Sequence, residues 1–105
     1  MTPKEFDRIK KKLAPVFKQK VVRKAILFGS YAGSSETKRS DLDIMIILDT
    51  KKRFFSRYDE FNEIFELIKD KAIDLLIYTP EELENISHRP FIRKIIEEGR
   101  VIYEH

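Results

Sequence analysis

Three aspartates and one Gly-Ser pair are the residues here whose types and spacing could do chemistry. Asp41 and Asp43 stand two positions apart at the head of the apolar run Ile44-Met45-Ile46-Ile47-Leu48. Side chains alternate along a strand, so the two carboxylates would point the same way, roughly 6–7 Å apart. Held so, they repel unless a cation lies between them, and Mg²⁺ prefers carboxylate oxygen while keeping water and substrate phosphate as further ligands. Asp74 lies inside the apolar stretch IDLLIY, where an unpaired buried carboxylate would be costly. Gly29-Ser30 closes the apolar run 25–28, and backbone N–H groups beyond it could face phosphate oxygens. Taken singly, a Gly-Ser is a turn and an Asp-x-Asp a solvated strand end. Together they are what chemistry on a nucleoside triphosphate needs.

The elements that must position these residues follow from periodicity and punctuation. Residues 2–17 read as a helix, with Thr2 as cap, Pro3 in the first turn, Phe6, Ile9 and Leu13 as a narrow apolar stripe, and Pro15 ending or bending it. Residues 21–28 and 41–48 read as strands, β-branched and apolar. A helix is expected over 54–71, with Phe54, Tyr58, Phe61, Ile64, Phe65 and Ile68 on one face. Residues 73–78 form a third strand. Thr79, Pro80 and Glu82 then spell a capping box, and Pro90 to Glu98 a last helix stopped by Gly99, with 101–103 as a short final strand.

The order strand, helix, strand from 41 to 78 is a crossover, which makes its two strands parallel. The first strand should run antiparallel to the second. Gly29, Ser30, Asp41, Asp43 and Asp74 would then meet at one end of the sheet. The fold class expected is α/β or α+β, a single mixed sheet packed with helices.

Bulk properties set bounds. The 105 residues suit one domain, 1–105, with one modest core. No window approaches the roughly 18 apolar residues of a membrane span, and no signal-peptide pattern opens the chain. With no cysteine there is neither a disulfide framework nor a thiolate metal site, which fits a reducing cytoplasm. A net charge of +3 favours an anionic ligand without announcing a nucleic-acid binder. The basic clusters at 10–12, 51–53 and 89–94 lack interleaved aromatics and read as solvated helix faces, so direct nucleic-acid binding is not expected. His88 and His105 have no ligand-spaced companion. Ser30 has no nearby histidine, which leaves a hydrolase triad unsupported.

Gly29-Ser30, ten intervening residues, then Asp41-Leu42-Asp43 resembles the signature of the nucleotidyltransferase superfamily that includes DNA polymerase beta. Asp74 resembles its third carboxylate, and the small size and the closing EEGRVIYE are similar to the minimal nucleotidyltransferase group. The resemblance covers nearly the whole chain and implies the polymerase beta-like palm fold. It implies transfer of a nucleoside monophosphate from an NTP, with ATP expected, to an acceptor hydroxyl. By resemblance, Asp41, Asp43 and Asp74 would be catalytic and would hold two Mg²⁺ ions, and Gly29 and Ser30 would bind the nucleotide's phosphates. Gly33 and Ser34 depart from the basic residue and glycine that such proteins often carry there, and Lys38 or Arg39 could supply the missing contact. Minimal nucleotidyltransferases are commonly paired with a small helical HEPN protein, and the resemblance implies an antitoxin that attaches AMP to a tyrosine of such a toxin. Two rivals remain: a non-catalytic subunit that neutralises its partner by covering it, and an enzyme acting on a small-molecule hydroxyl.

Overall fold

The computed structural model describes residues 1–29 and 41–105. Its elements are α1 (Pro3–Gln19), β1 (Lys24–Phe28), β2 (Leu42–Ile47), a 3-10 segment (Phe54–Phe61) running into α2 (Asn62–Leu67), β3 (Ile73–Tyr78), α3 (Pro80–Ile86), α4 (Pro90–Glu98) and β4 (Arg100–Glu104). The four strands form one mixed sheet in the order β3-β2-β1-β4. β1 lies antiparallel to both β2 and β4, and β2 lies parallel to β3, as the crossover required. The Leu42 N–H donates to Ala72 O at 2.8 Å and the Leu48 N–H to Tyr78 O at 2.9 Å, extending the β2–β3 pairing at both ends.

Alternation along the strands divides the core between the two faces of the sheet. Ala25, Leu27, Leu42, Ile44 and Ile46 are buried with Ile9, Leu13, Val16 and Phe17 of α1 and with Phe61, Ile64 and Ile68 around α2. Ile26, Phe28, Met45 and Ile47 face the opposite way, against Ile92 and Ile95 of α4 and Leu83 and Ile86 of α3. The sheet is therefore sandwiched, and Asp43 shares its face with Met45 and Ile47. No helix among the described residues is long and apolar enough to cross a membrane.

α1 does not stop at Pro15. It runs on to Gln19, with Thr2 capping its start by accepting from the Glu5 N–H at 3.1 Å. A proline inside a helix costs about 3 kcal/mol, but the turn beyond it buries Val16 and Phe17 in the core. Each such side chain is worth about 1.5–3 kcal/mol when fully buried, so packing offsets the break. The helix ends in a Schellman motif: the Val22 N–H donates to Phe17 O at 2.9 Å and the Val21 N–H to Lys18 O at 3.2 Å. Val21 takes the left-handed position, with φ 58°. The first strand accordingly starts at Lys24, not at residue 21.

The helix expected over 54–71 is two pieces. At three residues per turn, the 3-10 segment sets Phe54 and Arg57 on one line, which carries Arg57 inward. Arg57 is only 4% exposed. Its Nε–H donates to Lys52 O at 3.0 Å, and its guanidinium holds both carboxylate oxygens of Glu82, at 2.6 and 3.0 Å, as well as Ile77 O at 3.2 Å. A buried guanidinium must be met on all sides, and the tighter winding brings it to these partners. Phe65 misses the expected stripe and is 45% exposed, because α2 is short and buries only Ile64, with Phe61 and Ile68 flanking it. Gly99 ends α4 as expected, yet in extended backbone with φ −69°. The glycine is required by space: a Cβ there would overlap Ile26 Cγ2 and Ile95 O.

Candidate nucleotidyl-transfer site

The site is assembled by sheet register. Phe28, the last residue of β1, is paired with Asp43 of β2, and Asp43 is paired with Asp74 of β3. Phe28, Asp43 and Asp74 thus form a row across one end of the sheet, on the face covered by α3 and α4. Asp41 precedes β2 by one residue and reaches Asp74, with which it shares a side-chain hydrogen bond. Asp41 and Asp74 are exposed, and Asp43 is half-buried.

Crowding three carboxyls into this space leaves an electrostatic signature. The hydrogen bond to Asp74 raises the Asp41 pKa above the ordinary carboxylate value, helped by the Asp74 charge. Asp43 is pushed up to about 6, chiefly by burial and further by the charges of Asp74 and Asp41. Asp41 and Asp43 thus hold their protons more tightly than free carboxyls do. Oxygen-only, anionic and convergent, the set suits a hard divalent cation. Among the described residues, no group of three His, Cys, Asp or Glu side chains has the spacing of a metal cage.

Gly29 follows Phe28 with φ +72°, a conformation that side chains rarely adopt. A Cβ at this position would collide with Oδ2 of Asp43. The backbone of residue 29 therefore lies directly against a site carboxylate, and the turn that ends β1 helps build the floor of the site. Of the expected site residues, the structure brings together Asp41, Asp43, Asp74 and Gly29. Ser30 lies outside the described residues, as do Gly33, Ser34, Lys38 and Arg39. His88 and His105 are exposed, as expected.

One charged group escaped the sequence reading. Arg57 and Glu82 form a knot at the far end of β3, where Arg57 and the Thr79 N–H hold the Glu82 carboxyl down to about 2. The capping box was legible and does form, with the Glu82 N–H donating to Thr79 Oγ1 at 3.1 Å. Its second use, as the counter-ion of a buried arginine 25 residues away, carries no local signal. The distance of this knot from the three aspartates makes it structural.

Comparison with known proteins agrees with this geometry. Residues 11–105 match the family described as polymerase beta, nucleotidyltransferase. One relative from Methanocaldococcus jannaschii, provisionally named a protein adenylyltransferase, is 37% identical over 95% of this chain and 96% of its own length. A second from the same organism, with the same provisional name, is 34% identical over the same shares. Among solved structures, a toxin–antitoxin with AMP-PNP superposes with a TM-score of 0.65 at 17% identity, covering 91% of this chain and 73% of that one. A tri-AMPylated Shewanella oneidensis HEPN toxin in complex with an MNT antitoxin gives 0.60 at 13% identity, covering 95% and 73%. At such identities these two likenesses speak for the fold. The family match, the near full-length relatives and the shared fold agree: this chain belongs to the polymerase beta nucleotidyltransferases.

Proposed function

We propose that this enzyme transfers AMP from ATP to a protein hydroxyl, with a tyrosine of a HEPN-type helical partner as acceptor. The observation that carries the reading is the convergence of Asp41, Asp43 and Asp74 beside Gly29 at one end of the sheet. The provisional name of the relatives supports a protein acceptor. The AMPylated toxin found with an MNT antitoxin supports the partner class.

In this reading the acceptor oxygen attacks the α-phosphorus. A new O–P bond forms as the bond from the α-phosphorus to the oxygen bridging to the β-phosphate breaks, and pyrophosphate leaves with that electron pair. The proton of the acceptor hydroxyl passes to the Asp74 carboxylate. Asp41 and Asp43 would hold two Mg²⁺ ions, with Asp74 sharing one of them. Bound there, these ions would neutralise charge growing on the attacking and leaving oxygens of an in-line displacement. Gly29 and Ser30 would take the β- and γ-phosphates, the closeness of Gly29 to Asp43 leaving room for nothing larger than a backbone N–H.

The test is to incubate the protein with α-labelled ATP, Mg²⁺ and the product of a neighbouring gene, beside the Asp41→Ala/Asp43→Ala double variant. Label on the partner's tyrosine from the native enzyme alone is the expected result. Equal blocking of the partner by both forms without label would overturn it in favour of steric neutralisation. Label on a small-molecule hydroxyl would move the acceptor class.

A further inference from the structure

Asp74 is the second residue of β3, and β3 is an edge strand with a strand neighbour on one side only. The end of such a strand frays unless something holds it, and residues 68–72 feed straight into this one. The far half of β3 is held from its outer side. There Leu75 O accepts from the Tyr58 hydroxyl at 3.0 Å, and Ile77 O from the Arg57 guanidinium at 3.2 Å. Neither bond reaches the segment before Asp74.

α1 reaches it. The Lys71 ammonium meets Oε1 of Glu5 at 2.9 Å, with the lysine side chain 11% and the glutamate 29% exposed. A lysine is rarely buried so deeply without a partner, and a pair so far out of water is weakly screened by salt. Beside it, Arg8 meets Asp70 at 3.2 Å, and Nζ of Lys12 donates to Leu67 O at 3.4 Å. Positions 5, 8 and 12 share one face of the helix, so α1 holds 67–71 along a single line. The Arg8 pair is exposed and adds little by itself.

This line ends on the joint between the three aspartates. Ala72, next to Lys71, accepts through its carbonyl from the Leu42 N–H at 2.8 Å. Leu42 stands between Asp41 and Asp43, and Asp74 lies two residues beyond Ala72. A shift of 71–72 therefore moves Asp74 against Asp41 and Asp43 through one hydrogen bond. We infer that Glu5 and Lys71 are positioning residues for the transfer, their ion pair fixing the spacing of the three carboxyls from the side of α1. The inference rests on the proposed roles of the aspartates and adds what holds them in place. A pair that only fastened α1 would cost stability when cut and leave kcat alone. A pair that spaces the carboxyls costs kcat, since a misplacement of about 1 Å can slow a reaction on the order of 100-fold.

The experiment compares the native protein with Glu5→Gln and with Arg57→Ala. Glu5→Gln keeps the backbone N–H that Thr2 accepts from and removes the charge. Arg57→Ala loosens the other end of β3. Amide hydrogen exchange, read by NMR without nucleotide or metal, should quicken at Leu42 about ten-fold or more in Glu5→Gln. Leu48, which donates to Tyr78 O at the other end of the pairing, should not change. Arg57→Ala should do the reverse. In transfer assays Glu5→Gln should lower kcat about ten-fold with the KM for ATP nearly kept, whereas Arg57→Ala should nearly keep kcat. Arg8→Asp should act as Glu5→Gln does but more weakly, and adding Asp70→Arg to it should restore the native values. Unchanged exchange at Leu42 in Glu5→Gln would overturn the inference. So would equal losses of kcat in Glu5→Gln and Arg57→Ala, which would make the pair merely structural. If the native protein transfers no nucleotide, the proposed transfer has failed, and the Leu42 exchange still decides whether the pair holds the joint.

Discussion

At the scale of single residues, the crowded carboxyls are a cost that the fold bears. Asp43 is pushed up to about 6 from an ordinary value of 3.8, so the folded state holds its proton more tightly than the unfolded chain does. The sign follows from linkage: Asp43 disfavours folding increasingly as pH rises from about 4 to about 6, and the penalty is complete above that. Without divalent cation the melting temperature should therefore fall across that window. Asp43→Asn should flatten the fall and raise stability at pH 7, while lowering nucleotidyl transfer by at least about 100-fold. A pH series of thermal melts beside a transfer assay checks both. Gly29→Ala is the complementary case. It imposes a left-handed conformation on alanine, costing about 1–2 kcal/mol, and drives a methyl into the Asp43 carboxylate. Both stability and activity should drop, measurable by denaturant unfolding and by ATP turnover.

At the scale of elements, two joints carry testable strain or charge. Val21 occupies the left-handed position of the α1 Schellman motif, where glycine is usual, and its side chain is 66% exposed. Val21→Gly should stabilise the protein by about 1 kcal/mol, since it relieves the backbone and removes no buried contact. Denaturant melts with an unchanged m-value would bear this out. Arg57 makes the opposite prediction. Its truncation to alanine removes the guanidinium from Ile77 O and from the Glu82 carboxylate, which keeps only the Thr79 N–H, and should cost about 3 kcal/mol. The bond between α3 and the 3-10 segment also has a pH signature. Glu82 is held down to about 2, so the stability it lends is present above its ordinary value of 4.5 and is lost as pH falls toward 2. That limb lies on the acid side of the Asp43 window, and Arg57→Ala should shrink it to the part that the Thr79 N–H sustains while leaving the Asp43 effect in place.

At the scale of the whole molecule, one end of a four-stranded sheet concentrates negative charge in a chain whose net charge is +3. Mg²⁺ should raise the melting temperature at pH 7.5, above the raised value of Asp43, and should do less at pH 4.5, where Asp43 holds its proton. Differential scanning fluorimetry with and without the ion reads this directly, and Asp41→Ala/Asp43→Ala should remove the shift. Much of this architecture was legible beforehand. β3 and α4 fall within their expected bounds, and the parallel crossover and the gathering of Asp43 and Asp74 at one end of the sheet followed from element order. They were legible because period-2 alternation, capping residues and short connections are local signals. What stayed hidden was decided at a distance. Pro15 reads locally as a stop or a bend, and only the core beneath Val16 and Phe17 carries α1 past it. The segment 54–61 reads as α-helix, and only a carboxylate on α3 and a carbonyl on β3 explain why it winds tighter around Arg57. Gly99 reads as a helix stop, and only the approach of β1 shows that it is there for space. The sequence by itself determined which residues could do the chemistry and the order of the elements that carry them. The tertiary structure alone decided how closely the carboxyls crowd and that Gly29 lies against Asp43. Those are contacts between residues far apart in the chain, and no local pattern encodes them.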